Sequence, residues 1–392
     1  MIVVIADDFT GAAEVAGLAF NRGLRVILGS DVEVARHHQV QVFVLVSDTR
    51  SMERLEAEKC IRGLIREVQR FQPTLIFKKI DSVLRGHVYA ELQVQMEEEK
   101  KTKVAILAGN PALGRLIIDG EFYIDGKKLS DTSFACDMEF PATTSNVLTL
   151  LGGECGLFHV SDALPEGGFV VGNVDSQCTL NTWARKFDSS WVLAGGAAFF
   201  GSVLSAIYPE AVVGKLSATI AQVGKRIIFL GSNYPKKAEF KEKLVALGLK
   251  YINLDGSFFL KEGSEGVKQQ AKKIAELSEI HDTVVISTIF KIDQREQLTP
   301  YQIRMKVGEL AAAVFQQQQY DELFIEGGAT ANVIMQNLGV SYFEPTKEFA
   351  PGIIQMRDMK TNLHIVTKPG SYIWPQGVIS EVDMIHNNSS NR

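Results

Sequence analysis

The chain has 392 residues, beyond the roughly 250–300 at which one hydrophobic core usually stops growing, so two domains are expected. Its 46% hydrophobic and 22% charged residues are the balance of an ordinary globular protein and exclude a disordered or fibrous one. The formal net charge is −5 with the positive residues scattered, which excludes the basic footprint of a nucleic-acid binder.

The first residues form an apolar run over 2–6 that stops at Asp7 and Asp8 and has no basic segment before it. It reads as a first strand rather than a signal peptide. No run of about 18 apolar residues follows anywhere, so no membrane span is expected and the cytoplasm is the expected location. Short β-branched runs at 2–6, 25–28, 42–47, 75–79 and 103–108 alternate with helical-period stretches at 12–22 and 51–70. That alternation is the pattern of βαβ units around a parallel sheet.

Between 111 and 141 the periodicity loosens, and Asp125-Gly126 suits the positive φ angles of a tight hairpin turn. This segment is expected to be an arm over a site or a contact in a homodimer. Strand patterns resume at 156–159, 168–172 and 191–194, which places a first domain at 1–215 and a boundary across 209–225. A second domain, 225–392, restarts with strands at 226–230, 250–254, 283–287, 322–326 and 364–367. The predicted class is therefore α/β, with two α/β domains built on separate parallel or mixed sheets.

Cys60, Cys136, Cys155 and Cys178 make no C-x-x-C pair and read as free buried thiols. The seven histidines show no metal-ligand spacing, and there is no G-x-x-x-x-G-K-[ST], G-x-G-x-x-G or H-E-x-x-H. Walker-type NTPases and familiar dinucleotide enzymes are thereby excluded.

In open α/β sheets ligands bind outside the carboxyl ends of the strands, so the residues after each strand carry the functional signal. The first strand is followed by Asp7-Asp8-Phe9-Thr10-Gly11, the third by Ser47-Asp48-Thr49-Arg50, and the fourth by Ile80-Asp81-Ser82-Val83-Leu84-Arg85-Gly86 after Lys78-Lys79. Thr10, Ser51 and Ser82 taken singly are explained as well by helix N-capping. Capping does not explain aspartates, lysines and arginines gathered at three strand ends, where each charge needs a partner or water. Arginine offers a fork to a carboxylate, while aspartate accepts hydroxyl hydrogens or acts as a base, so a hydroxylated carboxylic acid matches the set.

The second half differs. Its strand ends carry Gly231-Ser232-Asn233, Glu326-Gly327-Gly328-Ala329-Thr330 and Pro369-Gly370-Ser371, loops with little charge that let backbone approach a phosphate at a helix N-terminus.

At these residues the sequence resembles the four-carbon acid sugar kinases. The resemblance rests on Ala6-Asp7-Asp8-Phe9-Thr10-Gly11-Ala12, Lys79-Ile80-Asp81-Ser82-Val83-Leu84-Arg85-Gly86 and Pro111-Ala112-Leu113-Gly114-Arg115. In the second half it rests on Gly231-Ser232, Gly327-Gly328-Ala329-Thr330, Pro351-Gly352 and Lys368-Pro369-Gly370, so it covers essentially the whole chain. It implies a kinase that uses ATP and Mg²⁺ to phosphorylate threonate, erythronate or 3-oxo-tetronate, with the substrate domain first and the nucleotide-binding domain second.

It further implies that Asp8, Arg50, Lys79, Ile80, Asp81 and Ser82 hold the acid and that Ser232, Gly327, Gly328, Ala329, Thr330 and Gly370 hold ATP. Asp8 and Asp81 are the candidate bases, and Lys79 and Arg85 the candidates for charge neutralisation. Ala329 stands where the family usually carries an acidic residue, which makes Glu326 a candidate substitute. The same departure leaves open a catalytically silent sensor of sugar acid and nucleotide, and because phosphate loops do not specify the acceptor, another ATP-dependent transferase or ligase is a second alternative. With acid and ATP assigned to different halves, closure about a hinge near 209–225 is expected during turnover.

Overall fold

The computed structural model describes residues 1–33, 39–137, 139–209, 224–231, 244, 249–261, 263–288, 298–370 and 372–375. The chain divides into two compact units, Met1–Leu216 and Ser217–Arg392. The expected hinge at 209–225 lies almost wholly outside the described residues.

The first unit is built on an eight-stranded sheet. Its strands are β1 (Ile2–Ala6), β2 (Val26–Gly29), β3 (Val42–Val46), β4 (Leu75–Lys79), β5 (Lys103–Leu107), β9 (Cys155–Phe158), β10 (Gly168–Gly172) and β11 (Trp191–Gly195). They lie in the order β2-β3-β1-β4-β11-β5-β10-β9 and every neighbouring pair is parallel. Such a sheet is covered on both faces by its crossover helices, which is why β1 and β3 read as unbroken apolar runs and are buried throughout.

Helix α1 (Phe9–Phe20) turns small residues inward, with Ala12, Ala13, Ala16, Gly17 and Ala19 all buried. Helix α2 (Arg54–Gln69) is a one-faced surface helix that buries Ala57, Ile61, Ile65 and Val68 at helical spacing. Helix α3 (Val88–Glu98) follows the β4 loop. β1 lies between β3 and β4, so the chain leaves β1 toward one side and later returns on the other. This is the topological switch at which a crevice opens beyond the strand ends.

The loosely patterned segment forms a small antiparallel sheet of β6 (Arg115–Ile118), β7 (Glu121–Ile124) and β8 (Lys127–Lys128). The expected turn is there, with φ of 49° at Asp125 and 77° at Gly126. Two short 3₁₀ turns, Leu129–Asp131 and Ser133–Cys136, follow. Ile117, Phe122, Leu129 and Phe134 pack into the same core as Ile80 and Leu84, so this arm belongs to the first unit's own interior.

The second unit has a mixed sheet of β12 (Arg226–Leu230), β13 (Lys250–Asn253), β14 (Thr283–Ser287), β15 (Glu322–Glu326), β16 (Tyr342–Ala350), β17 (Ile353–Asp358) and β18 (His364–Lys368). In the order β13-β14-β12-β15-β18-β17-β16 the first five strands are parallel, and β17 pairs antiparallel with both β16 and β18. The β16–β17 hairpin was not anticipated. Its residues mix charge and aromatics without clean alternation, and Glu344–Arg357 and the bulges at Pro345/Lys347 and Glu348/Ala350 show why the pattern is irregular.

The thiols correct one expectation: all four are free, but none is buried, Cys136 and Cys178 being exposed. Among the described residues no helix is long and apolar enough to cross a membrane.

Beneath the β4 loop the Lys78 ammonium and the Glu91 carboxylate meet at 2.5 Å, with side chains 0% and 2% exposed. This pair ties β4 to α3. Glu91→Ala strands an ammonium in the interior and is expected to cost about 3–5 kcal/mol, read from urea unfolding midpoints, whereas Lys78→Met with Glu91→Leu should recover most of it. A single variant as stable as wild type would show that the pair contributes nothing.

Candidate functional site

The three charged loops of the first unit converge at the carboxyl ends of β3, β1 and β4. Asp8 caps α1, accepting from the Gly11 amide at 2.8 Å and from the Thr10 hydroxyl at 2.8 Å. Thr10 is therefore not itself the cap. From the β3 loop Arg50 donates Nε and Nη2 to the two oxygens of Asp7, at 2.8 and 2.9 Å, and Nη1 to Asp8 at 3.0 Å. Asp81 lies 3.6 Å from the same guanidinium. One cation thus joins carboxylates from two neighbouring strand ends.

Lys79 enters from β4, donating to the Ile80 carbonyl at 2.9 Å and lying 3.9 Å from Glu14 of α1. A Cβ at position 11 would stand 2.6 Å from Asp8 Oδ1 and 2.9 Å from Lys79 Nζ, so only glycine lets this carboxylate and ammonium close over the helix start.

Asp81 accepts both Nε and Nη2 of Arg85, at 2.9 and 2.8 Å, and the amides of Val83 and Arg85 at 3.2 Å. Leu84 sits at φ 64° inside this turn. A bulky residue there is strained, and such strain gathers where a loop is held for function. The third edge of Arg85, Nη1, reaches Asp137 of the arm at 3.0 Å. Arg115 donates to the Ser82 hydroxyl, and both arginines lie against the Phe134 ring.

Burial sets the proton affinities. Asp7 is raised, because desolvation outweighs its bonds from Arg50. Asp8 suffers the same desolvation, but Arg50, Lys79 and the bonds from Thr10 and Gly11 overcome it and hold the carboxyl below its ordinary value. Asp81 also pays a burial penalty, and Arg85, Arg50 and Lys79 drive it well below that value. Arg50 is desolvated as well, yet Asp7, Asp8 and Asp81 lift it well above a free guanidinium.

Of the residues expected here, Asp8, Arg50, Lys79, Asp81 and Arg85 come together. Ser82 turns to Arg115, and Ile80 is a core side chain that contributes only its carbonyl. Asp7, Arg115, Phe134 and Asp137 were not singled out as site residues. Asp7 carried a signal in its Asp-Asp pair and Arg115 in its motif, whereas Phe134 and Asp137 lie in a stretch with no periodicity.

In the second unit the loops after β12, β15 and β18 belong to adjacent strands. Gly327 has φ 99° and starts helix α10 (Gly328–Leu338), with its amide bonded to the Lys368 carbonyl at 2.8 Å. A Cβ at Gly231 would stand 2.5 Å from the Thr330 hydroxyl and 2.9 Å from the Glu326 carbonyl, so backbone meets backbone here. Ala329 is exposed on the first turn and Thr330 is buried beneath it. The Lys368 ammonium, 2% exposed, donates to the Pro369 and Tyr372 carbonyls at 2.9 and 2.6 Å, fixing the turn that contains Gly370. Burial lowers Lys368 despite Glu326 at 3.6 Å. Glu326 accepts from the Trp374 indole at 2.9 Å, so the substitute acid is drawn into the interior instead of facing the loop. Ser232 lies outside the described residues. Among the described residues no group of three histidine, cysteine or acidic side chains is placed to hold a metal.

The geometry defines a class, a two-unit α/β protein with a cluster of paired charges at the strand ends of one unit and glycine-bearing loops at those of the other. Residues 2–199 match the sugar-binding N-terminal domain family and residues 245–372 the nucleotide-binding C-terminal domain family. The chain belongs to this family of four-carbon acid sugar kinases. It is 22% identical over 411 residues to a D-threonate kinase of Salmonella typhimurium, covering 95% of each chain. It is 25% identical over 414 residues to a 3-oxo-tetronate kinase of Pectobacterium atrosepticum, covering 94% of this chain and 95% of that one. A crystallised protein from Salmonella typhimurium LT2 has the same fold, with TM-score 0.75 and 18% identity over 95% of this chain and 96% of that one.

The depressed Asp81 gives a pH test. A carboxylate lowered by folding stabilises fully above its unfolded value of 3.8, and loses that contribution as pH falls through the folded value. The stability deficit of Asp81→Asn should therefore be level above about pH 5 and shrink toward about pH 3, in urea midpoints measured across that span. A deficit unchanged at the acid end would mean that Asp81 is not the ionised partner of Arg85.

Proposed function

We propose that the protein is an ATP-dependent kinase that transfers a phosphoryl group to the terminal hydroxyl of a four-carbon sugar acid, threonate, erythronate or 3-oxo-tetronate, giving the 4-phosphate. The observation that supports this most is the Arg50 clamp on Asp7 and Asp8 beside Lys79, a site that combines hydroxyl acceptors with cations. In this reading residues 1–215 bind the acid and 225–392 the nucleotide.

Asp8 receives the substrate hydroxyl, since its side chain is 13% exposed against 5% for Asp7 and 7% for Asp81. Asp81 acts through Arg85, whose fork occupies both its oxygens. A carboxyl held below its ordinary value is a weak base, so Asp8 mainly orients the hydroxyl. Phosphoryl transfer asks for positioning and charge neutralisation more than for a strong base, and this set supplies both.

The second unit fits ATP through the open amides of the α10 N-terminus, the positive φ of Gly327 and the backbone contact at Gly231. Residues 327–330, Gly370 and Ser232 form the proposed phosphate cradle. Mg²⁺ takes few protein carboxylates and keeps phosphate and water ligands, so it would be held mainly by the nucleotide and would neutralise its phosphates. Four free thiols suit a reducing cytoplasm.

A coupled ATP-consumption assay with D-threonate, D-erythronate, L-threonate, L-erythronate and 3-oxo-tetronates, with the product identified by mass, tests class and substrate together. Absence of a phosphorylated four-carbon acid across that panel would sink the proposal. Arg50→Lys keeps a cation against Asp7 but loses the fork, and it is expected to raise KM for the acid roughly tenfold or more while KM for ATP changes little. Equal effects on both would remove Arg50 from the acid side. Gly328→Val should abolish ATP binding in calorimetry while the acid still binds, because a branched side chain blocks backbone approach.

A further inference from the structure

Arg85 holds two carboxylates of different character. Its Nε and Nη2 edge is filled by Asp81, 7% exposed and fixed by two backbone amides besides. Its Nη1 edge meets Asp137 at 3.0 Å, and there the side chains are 26% and 23% exposed. Solvent reaches Asp137 more than Asp81, so the second pair is the one a ligand can approach.

The neighbourhood is shaped for an anion. The Arg85 and Arg115 guanidinium carbons lie 5.5 and 5.9 Å from the centre of the Phe134 ring, so both cations border one aromatic ring. Like charges so placed favour a carboxylate between or beside them. Asp137 supplies one from within the chain. Its other oxygen accepts the amides of Glu139 and Phe140 at 3.0 and 2.9 Å, so the local turn presents it ready-made. The turn follows two 3₁₀ segments and no sheet ladder, so moving it breaks few backbone bonds.

We propose that Asp137 tempers affinity for the sugar acid by competing with its carboxylate for the Nη1 edge of Arg85. This rests on the reading that the first unit binds a sugar acid. Replacing one carboxylate by another keeps Arg85 paired. A polyol of the same length offers no carboxylate to exchange and leaves Asp137 in place, because stripping the anion from a partly buried cation is costly. The arm therefore lowers affinity for the acid function alone and is indifferent to the hydroxyls.

The test is calorimetry on the full chain, wild type and Asp137→Asn, with D-threonate, with threitol as its uncharged counterpart, and with ATP. Loss of a partly exposed competitor is expected to tighten D-threonate binding roughly twofold to fivefold, with threitol and ATP unchanged. Unchanged or weaker D-threonate binding, or an equal gain for threitol, overturns the competition.

A second measurement needs no variant. Cys136, exposed and adjacent to Asp137, should be labelled by a thiol reagent faster with D-threonate than with threitol, while exposed Cys178 stays constant, as read by peptide mass. An unaltered Cys136 rate at saturating D-threonate also overturns it. If neither form binds any four-carbon acid, the parent reading falls; acid binding without the gain at Asp137→Asn removes the competition alone.

Discussion

The Arg50 guanidinium is the constraint on which the first unit's functional edge depends. Asp7, Asp8 and Asp81 emerge from adjacent strand ends into a corner that is largely closed to water, and three carboxylates there would repel one another. Desolvation by itself would raise all three. Arg50 reverses this for Asp8 and, with Arg85, for Asp81, while Asp7 stays raised as the most enclosed of the set. The backbone is fitted around the clamp: Gly86, at φ 88°, passes where a Cβ would come within 3.2 Å of Arg50 Cγ. A leucine held at positive φ two residues earlier belongs to the same turn.

The second unit is built by other means. The first uses side-chain charge; here the means are close backbone approach and a helix terminus. Its buried Lys368 is turned inward to hold carbonyls, and Glu326 with Trp374 steadies it. Nucleotide phosphates would thus meet amides preset by a rigid turn, and the acid would meet charges preset by one another. Division of the two tasks between two sheets follows from chemistry. A cluster that pairs carboxylates tightly enough to order hydroxyls would oppose polyphosphate by like charge.

Between these extremes lies Arg85, whose two edges are unequal. The inner edge makes Asp81 a fixed part of the framework, and the outer edge leaves Asp137 at the rim. Solvent access, and two bonds from Arg85 against one, separate the framework carboxylate from the one that a ligand can replace.

The strands and their charged ends were legible in the sequence because burial on both faces of a parallel sheet imposes continuous apolar runs, as at Ile2–Ala6 and Val42–Val46. Asp8, Arg50, Lys79, Asp81 and Arg85 followed from their places after those runs, and the Gly327 loop from its glycines. The sequence by itself could not say that Arg50 would clamp Asp7 as well as Asp8, because that depends on strand order β3-β1-β4, a long-range pairing with no local signature. Nor could it show that Glu326 turns inward to Trp374, 48 residues on, or that the irregular stretch after Gly126 returns Phe134 and Asp137 to Arg85. Periodicity records which face of an element is buried. Which side chains meet at its end is decided by packing between elements distant in the chain, and only the tertiary structure contains that.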